Sequence, residues 1–148
     1  MNPAPNVRRG DSSDIGQMTS LLKASGLPTD DLESIAQLDI WLLETEGRAV
    51  GTIALERYGS EGLLRSLAIA PEYRNRGLAR RLVSKLEQDA SADGVELLVL
   101  LTQTAEVFFQ KLGYSNTDRS EISQTLKQSA EFKTLCPASA RCMSRRLR

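Results

Sequence analysis

Apolar residues return along the chain at one of two intervals, and the interval switches several times. Ile15, Met18, Leu21 and Leu22 recur at helical spacing; Asp11 stands where a cap belongs, and Gly26-Leu27-Pro28 stops the run. This predicts a helix starting at Gly10-Asp11, behind a short strand at Val7 to Arg9 and a loose leader over residues 1 to 6. A second, short helix is expected from Thr29 to near Gln37, capped by the Thr29 hydroxyl, with Asp30 and Asp31 at the positive end of its dipole.

Strand patterning dominates the middle. Leu38 to Glu44 and Arg48 to Tyr58 flank Thr45-Glu46-Gly47 and read as a hairpin. Gly59-Ser60-Glu61-Gly62 turns into a third strand, Leu63 to Ala70, which Pro71 ends because it has no amide for a ladder. The period then becomes helical: Leu78, Ala79, Leu82, Val83, Leu86 and Ala90 form a stripe opposite Arg81, Lys85 and Gln88, as far as Asp93-Gly94. Val95 to Leu101 is a short apolar run that fits a buried strand, so strand, helix and strand imply a right-handed crossover.

Another helix follows, capped by Thr102 or Thr104, with Ala105, Phe108, Phe109 and Leu112 on one side and a stop at Gly113. Tyr114 to Ile122 reads as a weak strand, Ser123 to Leu135 as partly helical, Cys136-Pro137 as a break and Ala140 to Leu147 as a closing strand. With no repeat or linker, residues 1 to 148 are expected to form one mixed α/β domain.

Composition narrows the chemistry. The 148 residues are 41% apolar and 26% charged, near soluble averages, and 19 basic residues balance 19 acidic ones, which argues against a nucleic-acid partner. There is no histidine, which removes Ser-His-Asp and Cys-His catalysis and any His-ligated zinc. Cys136 and Cys142 are too few for a disulfide scaffold or a four-thiolate metal site, so no metal is expected and the compartment reads as reducing. The longest apolar run, Leu97 to Leu101, is far too short to span a bilayer, and a cytoplasmic protein is expected. Arg141, Arg145, Arg146 and Arg148 read either as a solvated basic end or as an anion contact.

The chemically informative segment runs from Leu67 to Ala79: a strand, a proline stop, a basic turn, Gly77, then a helix start. Amides from Arg76 to Ala79 sit at the positive end of a helix dipole, and Gly77 and Ala79 permit close backbone approach, which makes an anion cradle. Arg74, Arg76, Arg80 and Arg81 add charge that suits a pyrophosphate. No Gly-Lys-[Ser/Thr] follows and the three-glycine spacing is absent, so this is neither a Walker loop nor a dinucleotide fingerprint. The plain alternative is a strand-to-helix turn with exposed arginines.

At these residues the chain resembles the GNAT superfamily of acyl-CoA-dependent N-acyltransferases, through Leu64-x-x-Leu67-x-Ile69-x-Pro71-x-x-Arg74-x-x-Gly77-x-Ala79 and Ala105-x-x-Phe108-Phe109-x-x-Leu112-Gly113-Tyr114. The resemblance implies a mostly antiparallel sheet of six or seven strands with about four helices, splayed between the strand ending at Ala70 and the one beginning at Val95. Acetyl-CoA as cosubstrate would lie in the gap, held by Leu67, Ala68, Ile69, Arg74, Asn75, Arg76, Gly77, Leu78, Ala79, Arg80, Thr104 and Phe108. A homodimer is among the arrangements it allows. Gly26-Leu27-Pro28-Thr29, Leu63-Leu64-Arg65-Ser66-Leu67, Leu101-Thr102-x-Thr104-Ala105 and Glu131-Phe132-x-x-Leu135-Cys136-Pro137-x-Ser139-Ala140 resemble the branch associated with bacterial arsenic-resistance operons. That implies N-acetylation of a small amine, with an amino-acid-like organoarsenical among the candidates. The cysteines read as inert thiols or as an arsenite site.

An amine attacking a thioester needs positioning, a route for its proton and a donor to the carbonyl oxygen. The resemblance gives the last to a backbone amide near Ile69. Glu56, late on its strand, is the chosen proton acceptor, with an exposed strand-end carboxylate as the alternative and Glu61 as a weaker substitute. Arg65 interrupts an apolar strand and faces either solvent or the acceptor cleft, where it would hold a substrate carboxylate; alternation points Ser66 the other way. Many GNAT enzymes carry a tyrosine where this chain has Phe109, which cannot protonate a leaving thiolate; Tyr58, Tyr73 and Tyr114 are other hydroxyls. The leading reading is therefore N-acetylation of a small-molecule amine. Its rivals are a silent acyl-CoA-binding sensor or interaction module and an acetyltransferase of protein N-termini or lysines.

Overall fold

The computed structural model describes residues 4–35, 37–136 and 139–147. The expected leader in its first three residues, Pro137 of the expected break, and Arg148 lie outside the described residues. A seven-stranded sheet carries the fold, in spatial order β1-β2-β3-β4-β5-β7-β6. The strands are β1 (Asn6–Arg9), β2 (Leu38–Thr45), β3 (Arg48–Tyr58), β4 (Glu61–Ile69), β5 (Leu97–Thr102), β6 (Ser115–Asn116) and β7 (Arg141–Arg146). Every neighbouring pair is antiparallel except β4 with β5, which is parallel as the crossover through a helix requires.

The helices are α1 (Ile15–Ala24), α2 (Leu78–Ala92), α3 (Glu106–Lys111) and α4 (Gln124–Lys127). Asp11 caps the turn leading into α1 through a reciprocal pair of bonds with Asp14. α2 buries Leu78, Leu82, Val83, Leu86 and Ala90 against Trp41, Ile53, Leu55 and Leu64, and Phe109 of α3 joins the same core. On the other face of the sheet α1 packs Met18 and Leu22 on Leu42, Ala54 and Ala68, while Leu126 of α4 packs with Leu63 and Val99. Among the described residues no helix is long and apolar enough to cross a membrane.

Three expectations change. The helix from Thr29 shrinks to a single 3-10 turn, Leu32–Ser34, because Asp31 turns its carboxylate onto Arg65 of β4 instead of serving a helix start. The strand from Tyr114 reduces to Ser115–Asn116, after which Thr117 N–H bonds the Cys142 carbonyl and Asp118 caps a 3-10 turn. The basic end is tied down in part: Arg141 pairs with Glu106 at 3.2 Å and Arg145 with Glu87 at 2.9 Å.

The feature that positions the site is a bulge in β4. Opposite Thr52 and Ala54 stand Ala68 and Arg65, so β4 carries an extra residue, and Ser66 adopts φ 61°. A bulge bends its strand and increases local twist. β4 and β5 pair only from Glu61↔Leu97 to Leu63↔Val99 and then part, as the splay expected from the resemblance requires.

Candidate active site

A cavity of about 230 Å³ opens where that pairing stops, walled by Leu64 to Leu67 of β4, Leu100 to Thr102 of β5, and Thr104, Ala105 and Phe109. Ala70 N–H donates to the Val50 carbonyl across β3, so by strand alternation the polar backbone groups of Ile69 point toward the gap. The Ile69 carbonyl receives Arg74 Nε at 2.9 Å. Ala68 faces the other way, into the core against α1. Thr102 Oγ1, and not Thr104, accepts the Ala105 N–H at the start of α3.

Beyond the end of β4, Ile69, Tyr73, Arg74, Asn75, Gly77, Leu78, Ala79, Arg80 and Phe108 enclose a second hollow. Asn75 at φ 63° and Gly77 at φ 73° fold the turn back on itself before α2 begins, and a Cβ on Gly77 would enter open space. Only glycine takes this conformation freely, and the turn leaves the first amides of a 15-residue helix facing outward. The arginines divide: Arg80 lines the hollow, Arg76 donates to the Glu72 carbonyl and stacks on Tyr73, and Arg81 reaches away to the Pro5 carbonyl.

On the opposite face of the sheet lies a cluster of buried charges that adjoins the cavity. Arg65, its side chain without exposure, donates from Nη1 and Nη2 to both oxygens of Asp31 at 2.7 and 2.8 Å, and from Nη1 to Glu56 Oε1 at 2.5 Å. Its Nε lies 3.1 Å from Ser66 Oγ and 3.3 Å from a Glu131 oxygen. Ser66 therefore sits beside Arg65 and not opposite it, because the bulge breaks the alternation on which the sequence reading relied. Glu56 is 2% exposed, so the solvated strand-end reading fails, and its other oxygen accepts the Tyr58 hydroxyl. Burial, then the Glu56 carboxylate, drives the Tyr58 pKa up.

Local pattern places Glu131 in a motif and Asp31 at an expected helix start and marks neither as a functional candidate; the fold makes them candidates by bringing both to Arg65. Glu131 stands on a single π-helical turn, Glu131–Leu135, closed by Cys136 N–H onto the Glu131 carbonyl. It is 4% exposed, and desolvation outweighs the attraction of Arg65, so its pKa is pushed up to about 7. Cys136 and Glu131 both line the cavity and share a hydrogen bond; burial first and then Glu131 push the thiol up to about 11. Cys142 is packed in the core with Val99 and Ile122. Tyr114 meets Phe109 edge to face and donates to Glu87, outside the cavity. Asp31, Glu56 and Tyr58 line a third hollow with Gln128 and Ser129, so the ion cluster forms the partition between that hollow and the cavity.

This geometry can hold an elongated anionic molecule across one face, lead it through the sheet and present its end to buried carboxylates. Residues 36–116 match the family described as the acetyltransferase (GNAT) domain. An uncharacterized N-acetyltransferase of Chlorobaculum tepidum is 29% identical over 141 residues, 93% of this chain and 88% of that one. N-acetylglutamate synthase of Neisseria gonorrhoeae, solved with coenzyme A and N-acetyl-glutamate, superposes with a TM-score of 0.82 at 20% identity; all of this chain is covered, but only 36% of that one. A GNAT acetyltransferase of Staphylococcus aureus gives 0.79 at 19% identity, covering 98% of this chain and 100% of that one. Since the family match takes in more than half of its length, the chain belongs to the GNAT family of acetyltransferases.

Proposed function

We propose that the protein transfers the acetyl group of acetyl-CoA to the primary amine of a small molecule, with residues 1–148 acting as one cytoplasmic acetyltransferase domain. The observation that carries the reading is the arrangement along the end of β4: the turn hollow at α2, the cavity where β4 and β5 part, and the buried carboxylates gathered on Arg65 between that cavity and the hollow lined by Asp31, Glu56 and Tyr58. Backbone amides from Gly77 to Ala79 with Arg80 suit the pyrophosphate, Leu67 and Ile69 suit the amide groups of the pantetheine arm, and Thr104 and Phe108 close the sides. The neighbour solved with coenzyme A and N-acetyl-glutamate supports a CoA donor and a small acylated amine.

The amine arrives through the acidic hollow as an ammonium ion. Glu56 takes its proton, and the freed lone pair attacks the thioester carbon. Arg65 acts as a positioning residue: its donors hold Asp31, Glu56 and Ser66, so it fixes the base in place instead of receiving a substrate carboxylate. The arsenic-branch resemblance makes an amino-acid-like organoarsenical one acceptor to include among candidate amines.

Incubation with acetyl-CoA and an amine panel, following free thiol, tests the reading. Amine-dependent thiol release at well above the hydrolytic background is expected. Tight CoA binding with no release across the panel would favour the silent sensor, a reading that draws on the missing hydroxyl at Phe109.

A further inference from the structure

A thiol has a pKa near about 8.5, so sulfur leaving as a bare thiolate is a middling leaving group at neutrality, and a proton delivered to it lowers the barrier. The cavity offers few sources. Phe109 has no hydroxyl, Tyr114 is engaged with Glu87 outside the cavity, and Tyr58 donates to Glu56 on the side of the acceptor hollow. Hydroxyls of Ser25, Ser66, Thr102 and Thr104 are far too weak as acids to serve in the neutral range, and the Cys136 thiol, pushed up to about 11, holds its proton too tightly. Glu131 is the one carboxylic acid among the described residues that line this cavity.

We propose that Glu131 is the general acid of this site, handing its proton to the sulfur as the carbon–sulfur bond breaks. The proposal rests on the acetyl-CoA reading above. The amine lone pair forms the carbon–nitrogen bond, the carbon–sulfur pair leaves on sulfur, and sulfur takes the Glu131 proton. The ammonium has already given one proton to Glu56, and the nitrogen, made cationic by the new carbon–nitrogen bond, loses its second proton to water, so one proton is released overall. Amide and free thiol are the products, nothing is oxidised or reduced, and exchange with water returns both carboxyls to their starting forms. Arg65 contacts both carboxyls, Glu56 through Nη1 and Glu131 through Nε, so one side chain holds base and acid.

The surroundings suit a donor. Glu131 faces Arg65 from β4, Glu56 from β3, Asp31 from the loop after α1 and Cys136 on its own segment. Burial and the two other carboxylates favour the protonated form while Arg65 favours the anion, and the balance near 7 keeps both forms populated at neutrality.

The test is Glu131→Gln in the full chain, assayed with acetyl-CoA and an amine that the wild-type protein accepts. The expected result is a kcat lower by about 10²-fold or more, with the acetyl-CoA KM within about threefold of wild type and partial recovery in Glu131→Asp. A second readout needs no turnover: carbon-13 NMR of glutamate side chains in the free protein should show one carboxyl titrating near neutrality that the Gln variant lacks. A folded variant with kcat within about threefold of wild type overturns the proposal, as does a spectrum in which every carboxyl titrates in the ordinary range. If the Gln variant does not fold, the wild-type profile decides: kcat falling as a group deprotonates near neutrality supports the assignment, and a flat profile overturns it. Wild-type protein that acetylates no amine overturns the acetyltransfer reading and this one with it, whereas turnover that survives the substitution overturns this one alone.

Discussion

Exchanging Glu131 for Gln should stabilise the protein above neutrality while leaving it about as stable as wild type in mild acid. The carboxyl is buried, with its pKa held at about 7 against the ordinary 4.5, so the folded chain binds this proton more tightly than the unfolded chain does. Stability that depends on the bound proton is complete below the unfolded value and drains away as pH rises through the folded one. Each tenfold difference in proton affinity is worth about 1.4 kcal/mol, so the displacement corresponds to roughly 3 kcal/mol between mild acid and weak alkali. Gln has nearly the same volume and no proton to lose, and Arg65 keeps Asp31 and Glu56 as counterions. Urea unfolding of both proteins at the two pH values reads the effect directly: wild type should lose about 3 kcal/mol more than the variant, with similar m-values. Parallel pH dependence would refute the burial argument, and a steeper loss in the variant would mean that Arg65 needs the Glu131 anion.

Three other substitutions probe separate parts of the site. Glu56→Gln should lower kcat/KM by about 10²-fold or more, and a folded variant within about threefold of wild type would reject its role as proton acceptor. Gly77→Val forces a β-branched residue into φ 73° and points methyl groups into the open space ahead of α2, so the acetyl-CoA KM should rise while kcat is kept; unchanged cofactor kinetics would remove the cradle. Arg65→Met strands three buried carboxylates and should destabilise the fold by about 3–5 kcal/mol in urea melts, and a loss below about 1 kcal/mol would show that the cluster is solvated in solution.

The scaffold was legible because its signals are local. The stripe of α2, the hairpin turns at Gly47 and Gly59 and the proline after β4 each declare themselves within a few residues, and the observed elements follow them. The turn before α2 was legible for the same reason, except that sequence cannot say which arginine bends back onto a carbonyl, as Arg76 does onto Glu72. The charge cluster was not legible. Its members come from positions 31, 56, 65 and 131, and what binds them is the strength of one buried guanidinium, not any spacing along the chain. The bulge at Ser66 was invisible too, since nothing in Arg65-Ser66-Leu67 distinguishes a regular strand from one with an extra residue, and with it went the correct direction of the Ser66 side chain.

That bulge links fold to chemistry. A regular β4 would continue its ladder with β5 past Leu63, sealing the sheet and separating the α2 face from the acceptor face. The extra residue bends β4 away, so the sheet that divides the molecule acquires a passage at the point where Arg65 gathers its carboxylates. The two effects depend on each other. The bend exposes the buried face of β4 to a cavity, and a bare cation there would be costly, so Asp31, Glu56 and Glu131 must converge on it from three other parts of the chain. Three carboxyls around one guanidinium exceed neutrality, and the proposed chemistry draws on that excess: Glu56 as the acceptor of the ammonium proton, and Glu131 as a carboxyl that the remaining negative charge helps to keep protonated.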